Sequence, residues 1–460
     1  MGFSQIAFIL LLVLSIYFAV KQFSFIIRNI KLGRDQDISG HETARLKNVA
    51  LVALGQKKMF KRIIPAVLHG FIYVAFLFTQ IEVIEIIIDG LFGVHRFFAP
   101  FLGTLYTIII GSIEILSVLA FIGTVAFLVR RNIIKVPRLH DPEMKGWPTT
   151  DANIILILEI LLLIGIFTMN GADVVLQQID PAHYPSTGFL PVSSVMGPLF
   201  LEGLGKDLLM LIERSGWWLH FLVVLAFLYY IPRSKHLHIF FAFPNVYFSP
   251  HKSRGEMENM PAIMNEVKSM MGLIPEVEAG AMDAELPEFG SKDVFDLSWK
   301  TIMDAYTCTE CGRCTAVCPA NITGKKLSPR KVMMDIRDRA EEVGRNIDSG
   351  SGKYLSEADR IANVKLTADN YDDGKSLFDY ITREELHACT TCNACVEACP
   401  VMINPLTPIM DLRRYEILTE SAGPSDWVPM FTSIENSGAV WQVPDERGKW
   451  AKEFAEQEAS

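Results

Sequence analysis

The chain has 460 residues and a formal net charge of −9; half of its residues are hydrophobic, which excludes a wholly soluble, highly charged protein. Residues 1–250 hold 20 Lys and Arg against 16 Asp and Glu, and residues 251–460 hold 23 against 36, so a slightly basic apolar half meets an acidic polar half with no basic run for nucleic acid. All eight cysteines lie after residue 300, a distribution that does not fit a disulfide framework.

Five apolar stretches are long enough to cross a bilayer, which takes about 20 residues per crossing. They run over Ile6–Ile27, Ile63–Ile88, Leu102–Val129, Ile154–Met169 and Trp217–Pro232, with the last and shortest expected to start earlier or continue to Ile239. The first lacks a basic flank and a small-residue cleavage site, and is expected to be a retained helix. Lys31–Arg62 and Arg130–Asp151 hold 8 and 5 Lys and Arg, against 1 and 2 in Asp89–Phe101 and Gly171–Gly216. This positive-inside bias predicts a multi-pass protein of the cytoplasmic (inner) membrane, with the N-terminus outside and the C-terminal half in the cytoplasm.

Two histidines, His69 and His220, fall inside the second and fifth stretches. Ionisable groups at membrane depth point to function, and neutral imidazole is a standard axial ligand of haem iron. His238 follows His220 by 18 residues, five helical turns, which places the two on one helix face about 27 Å apart, with Pro232 in between rotating the relation somewhat. The pattern predicts one haem b, held by His69 and either His220 or His238. A second is conceivable on the fifth stretch, and His236 competes with His238. The bland alternatives are an interhelical hydrogen bond for His69 and His220 and a basic interfacial cluster for His236 and His238. Ten residues either side of His69 stand Met59 and Thr79, so the second stretch offers no further ligand. Glu82, Glu85, Glu114 and Glu159 are also written into apolar stretches, where a proton path, a quinone pocket and solvated helix ends are all open readings.

The strongest signal is a repeat. Cys308, Cys311, Cys314 and Cys318, then Cys389, Cys392, Cys395 and Cys399, each form C-x2-C-x2-C-x3-C-P. Tight spacing lets one loop wrap three corners of a cubane, and the fourth cysteine reaches the other cluster. Two [4Fe–4S] clusters are therefore predicted, one on Cys308, Cys311, Cys314 and Cys399, the other on Cys389, Cys392, Cys395 and Cys318. Zinc is the competing ion, but its sites use paired cysteines, not a fourfold run ending in Cys-Pro.

The 69 residues between Pro319 and Cys389 contain two helical patterns, Ser328–Glu342 and Ser376–Leu386. An all-α fold is predicted: a five-helix transmembrane bundle followed by an α-helical ferredoxin domain. The division is 1–245 for a haem b and quinone domain and 246–294 for an acidic connector, with a short helix near Pro261–Met271. The ferredoxin domain then covers 295–410 and a tail 411–460.

With these residues in view, the membrane half resembles the gamma subunit of respiratory nitrate reductase and the cytochrome b subunit of membrane-bound heterodisulfide reductase. The similar motifs are His69-Gly70-Phe71, and Trp217-Trp218-Leu219-His220 through Pro232 to His238. The cysteine half resembles the helical ferredoxin domain of heterodisulfide reductase. The likeness covers about 1–245 and 295–410. It implies haem b, exchange of electrons with a quinone, and a separate catalytic subunit as partner, one with Cys-Cys-Gly domains or a flavin. The chain departs from the catalytic relatives in lacking Cys-Cys-Gly repeats. The expected function is that of an electron-carrying oxidoreductase subunit, active with its partner. The rival is a membrane docking or assembly module whose clusters are structural or redox-sensing.

Overall fold

The structure is a computed structural model, and it describes residues 2–253, 255–257, 259–273, 289–441 and 448–459. Among the described residues the regular structure is helical, apart from one parallel bridge between Arg34 and Ser298. Five helices are long and apolar enough to cross a membrane: α1 (Phe3–Ile30), α2 (Ile63–Phe92), α3 (Thr104–Asn132), α4 (Trp147–Ile179) and α5 (Lys206–Tyr230). At 1.5 Å per residue each exceeds the roughly 30 Å hydrocarbon core.

The helices overrun the hydropathy pattern where polar residues find partners across the bundle. α4 starts before Ile154 because Asp151 accepts from Tyr230 Oη at 2.7 Å and from the Lys235 amide at 3.1 Å. It continues past Met169 because Asn170 and Asp173 bind Arg96 at 2.7 and 3.1 Å. α5 begins eleven residues before Trp217. There Glu213 pairs with Arg214, whose guanidinium lies 5.4 Å from the Trp217 ring centre. Glycines let α4 and α5 close on each other: a Cβ on Gly165 would stand 2.8 Å from the His220 amide nitrogen.

α5 does not run on to His238. Pro232 sits in a single 3-10 turn, Ile231–Arg233; a second turn, Lys235–Leu237, follows, capped by Ser234. Helix α6 (His238–Tyr247) then begins. The expectation that His220 and His238 share one helix face is thus corrected, for the reason that a proline removes a backbone donor and breaks the ladder.

The C-terminal half is built around α7 (Trp299–Thr307), α8 (Pro329–Ser349), α9 (Leu406–Arg414) and α10 (Trp427–Ser437). Ser328 caps α8, accepting from the Lys331 amide at 3.3 Å, and Pro329 takes the first position. The single helix expected over Ser376–Leu386 is instead a 3-10 turn, Leu377–Asp379, and a short helix, Arg383–His387. Ser376 and Thr382 each form a capping box, so the second cap restarts the chain before one helix can propagate. The connector contains the helix Pro261–Met270; residues 274–288 lie outside the described residues.

The two halves share one core. Ile26 and Ile30 of α1, Leu237 and Phe241 pack with Ile302, Leu327, Ile336, Val343 and Ile409. Polar contacts stitch the seam. Arg28 pairs with Asp348, Asn29 Nδ2 donates to Tyr306 Oη at 3.0 Å, and the Arg34 amide donates to Leu297 O at 2.7 Å. Both basic loops lie against the cysteine-bearing half, so it sits on the side of the bundle that carries the positive charge.

Candidate iron–sulfur and haem centre

The two cysteine runs adopt the same backbone turn. Glu310 and Thr391, the third residue of each run, have φ of +53° and +56°. Gly312 and Asn393, the fifth, have +69° and +59°. Only glycine takes this left-handed region without cost, so the turn is held by what surrounds it. Alternating left-handed residues gather backbone N–H groups into a concave nest that favours an anion. Backbone amides already point at sulfur, among them Thr391 N to Cys389 Sγ at 3.4 Å and Ile403 N to Cys399 Sγ at 3.3 Å.

The thiols sort into two groups through their mutual influence. Cys314 has Cys308, Cys311 and Cys399 around it, with Cys395 beyond. Cys399, from the second run, has Cys311 and Cys308 as its neighbours. Cys395 has Cys389, Cys318 and Cys392. Burial first, then neighbouring thiols for Cys395 and Cys399 and the Glu310 carboxylate ahead of Cys311 for Cys308, push all three up to about 12. Such a site holds protons until a metal displaces them, which is how thiolate sites couple metal binding to proton release. Among the described residues, no three His, Cys, Asp or Glu side chains converge closely enough for a single metal ion. One tetrahedral ion with bonds of about 2.3 Å needs its sulfurs roughly 3.8 Å apart. A four-iron cube spreads its thiolates more widely, and the donor set fits that group.

The first run sits against the membrane loops. Arg138 Nε donates to Cys311 O at 3.0 Å, and Arg313 Nη1 to Lys58 O at 3.3 Å. Burial, then the crowding of Arg62, Arg313 and Arg130, lowers Arg138 to about 10, with Cys311 acting the other way. Lys235 Nζ meets Glu310 Oε2 at 2.6 Å, and Arg337 meets Glu310 Oε1 at 2.8 Å. Burial works against the charged form of Glu310, but these two cations outweigh it and lower its pKa. The second run is more open: Cys392 is the exposed cysteine of the eight.

The ring centres of His69 and His238 lie 6.4 Å apart, tilted by 45°. An iron held between two imidazole nitrogens at about 2 Å each puts the ring centres roughly 6 to 6.5 Å apart. Both rings are oriented through Nδ1: His69 to Gln56 Oε1 at 3.1 Å, and His238 to Lys235 O at 2.8 Å. That leaves Nε2 for a metal, the usual outer-shell arrangement of a histidine ligand. His236 stacks near Phe227, its Nδ1 buried without a partner, and burial lowers it to about 3. His220 is not part of this pair. Its Nδ1 faces Leu162 O at 3.1 Å, and its Nε2 is buried without a partner.

Sequence reasoning missed Gln56, Arg138, Arg313 and Glu310. For Arg313 the signal was its place inside the cysteine run; the others become visible only when distant segments meet.

Comparisons with known proteins follow the same lines. The chain is 31% identical to the probable iron-sulfur-binding oxidoreductase FadF of Bacillus subtilis, over 475 aligned positions covering 99% of this chain and 62% of that protein. It is 24% identical to the EtfAB:quinone oxidoreductase of Syntrophomonas wolfei, over 85% of this chain and 51% of that one. It is 33% identical to a probable membrane-anchored ferredoxin of Chromohalobacter salexigens, over 37% of this chain and 25% of that one. The chain thus spans between half and two thirds of the first two relatives. No solved structure matches it. Residues 307–403 match the 4Fe-4S dicluster domain family, a match that spans both cysteine runs and the helices between them.

Proposed function

We propose that the chain is a membrane-bound electron-transfer subunit, linking the quinone pool to a catalytic partner at the cytoplasmic face through haem b and two [4Fe–4S] clusters. The observation that carries this reading is the sequence of neighbours from membrane to surface. His69 faces His238, and Arg313 lies within electrostatic reach of His69. Arg313 is flanked in turn by Cys311 and Cys399. Beyond its own group Cys314 has Cys395 of the other, and Cys392 reaches solvent. The cofactors would supply one-electron carriage when bound.

In this reading Cys308, Cys311, Cys314 and Cys399 hold the membrane-proximal cluster. Cys389, Cys392, Cys395 and Cys318 hold the distal one. His69 and His238 would hold one haem b, with Gln56 and the Lys235 carbonyl fixing their tautomers. The bundle, 1–245, acts as a haem and quinone domain resembling nitrate reductase gamma, 246–294 as connector, 295–410 as ferredoxin domain and 411–460 as tail. The protein lies in the cytoplasmic membrane with its basic loops and clusters inside. A relative named EtfAB:quinone oxidoreductase supports a quinone at one end; the partner at the other, a flavoprotein or a subunit with Cys-Cys-Gly domains, is what the family resemblance implies. His220 stands apart from this pair, its Nδ1 on Leu162 O and its Nε2 buried without a partner.

Iron, sulfide and haem analysis of the purified chain, with reduced-minus-oxidised spectra, tests the reading. A haem b band that responds to quinol is expected in the parent and in His220→Ala, and its loss in His69→Ala and His238→Ala. A protein without iron and acid-labile sulfide, or normal haem in His69→Ala, would overturn the corresponding part.

A further inference from the structure

At the end of the bundle away from the clusters, the membrane-spanning helices bury a polar network. Glu82, Glu85 and Asp89 lie on one side of α2, and all three are buried. Nearly every group is bonded. Glu85 accepts from Tyr106 Oη at 2.7 Å and the Phe98 amide at 2.9 Å. Asp89 accepts from the amides of Arg96 and Phe97 at 2.9 and 3.0 Å. Asp173 accepts from Arg96 and faces His95 at 2.9 Å. Glu114 accepts from the amides of Val192 and Ser193.

Two atoms stand out: Glu82 Oε1 and Arg96 Nε are buried with no partner. Glu82 is 2% exposed and Arg96 3%. Both line a void of about 10 Å³ together with Glu85, Asp89, His95 and Trp217, close to the least space one water needs. Asp89, His95 and Trp217 also line a cavity of about 510 Å³ whose mouth carries His183 and Lys206. A buried carboxyl, a one-water gap and two groups that line both spaces, Asp89 and the His95 imidazole held by Asp173, thus lead to an open cavity.

We propose that Glu82, the void, Asp89 and His95 form a proton-transfer line between the membrane interior and this outer cavity, serving the quinone chemistry on which the proposed function rests. Oxidation of a quinol breaks two O–H bonds. Its two electrons pass singly to the haem and clusters, and its two protons must leave by another route; reduction of a quinone reverses each step. A carboxyl with an unpartnered oxygen takes up or releases a proton without breaking an existing hydrogen bond. Arg96, held by Asp173, Asn170 and Tyr106, is a positioning residue that faces Glu82, as do Glu85, Glu114 and Asn170. Glu82 lies thirteen residues beyond His69, about 20 Å along α2. Electrons and protons therefore leave by opposite ends of the bundle.

The test uses the full chain in vesicles, with menadiol and decylubiquinol as reductants, and with bleaching of the iron–sulfur absorbance and growth of the reduced haem band as readouts. Glu82→Gln is expected to slow quinol-driven reduction roughly tenfold or more, while the dithionite end point stays at the parent level. Glu82→Asp should recover part of the rate. Glu159→Gln, a carboxyl bonded to Thr124 outside the network, should match the parent. A parent-like rate in Glu82→Gln overturns the proton line and leaves the electron-carrier reading standing. If Glu82→Gln fails to assemble, His95→Gln decides: slowing supports the line and a parent-like rate overturns it. A parent protein reduced by dithionite but by neither quinol overturns the quinone reading and the proton line with it.

Discussion

The two cysteine runs share a spacing, a backbone turn and a closing proline, yet they occupy different surroundings. Around the first, Glu310 is buried between Lys235 and Arg337, Gly312 lies against Arg330, and Arg138 and Arg313 tie the loop to the membrane segments. Around the second, Thr391 stands where Glu310 does, half-buried, and Cys392 reaches solvent. Arg413 donates to Cys389 O at 2.7 Å, and Lys61 pairs with Glu397. Local spacing makes the loops equivalent; tertiary neighbours make one an inner centre and the other an outward-facing one.

The strongest way to break that comparison is to cross it. If each loop lends its fourth cysteine to the other, Cys308→Ser should disturb the membrane-proximal cluster and Cys318→Ser the distal one. Each should lose about half the iron, with different electron paramagnetic signals surviving. Damage to the proximal cluster by Cys318→Ser would refute the crossed ligation.

A smaller effect separates the surroundings. Glu310→Gln removes a buried carboxylate from between two cations and should cost about 2–3 kcal/mol, read as a lower thermal midpoint of cluster bleaching. Lys235 retains Asp151 at 3.7 Å, which keeps the loss below that of a fully orphaned charge. Thr391→Gln, at the matching position, should leave the midpoint within about 0.5 kcal/mol of the parent, as expected where no buried ion pair is broken.

The finest contrast lies in the backbone. Gly312→Ala places a Cβ at φ +69° against the Arg330 guanidinium and should destabilise by about 1–2 kcal/mol. Thr391→Gly frees a β-branched residue from φ +56° and should stabilise by roughly 0.5–1 kcal/mol in denaturant titration. Equal responses at the two sites would mean that the shared turn, not its setting, governs both loops.

Covalent spacing and hydropathy were enough to reveal the five spans, the all-α fold and the cysteines of the dicluster domain. These are local properties: three thiols within seven residues must meet, and twenty apolar residues must leave water. The hydropathy pattern stopped short at α4 and α5 because Asp151, Asn170, Asp173 and Glu213 find partners that only packing brings near. For the same reason the sequence left His69 with two candidate partners. A break at Pro232 and two tight turns swing His238 to face His69, while His220 stays behind on α5. The seam joining Ile26 and Ile30 to the core of the cysteine half was equally invisible, because contacts between residues hundreds of positions apart follow from how helices dock, not from any pattern within them.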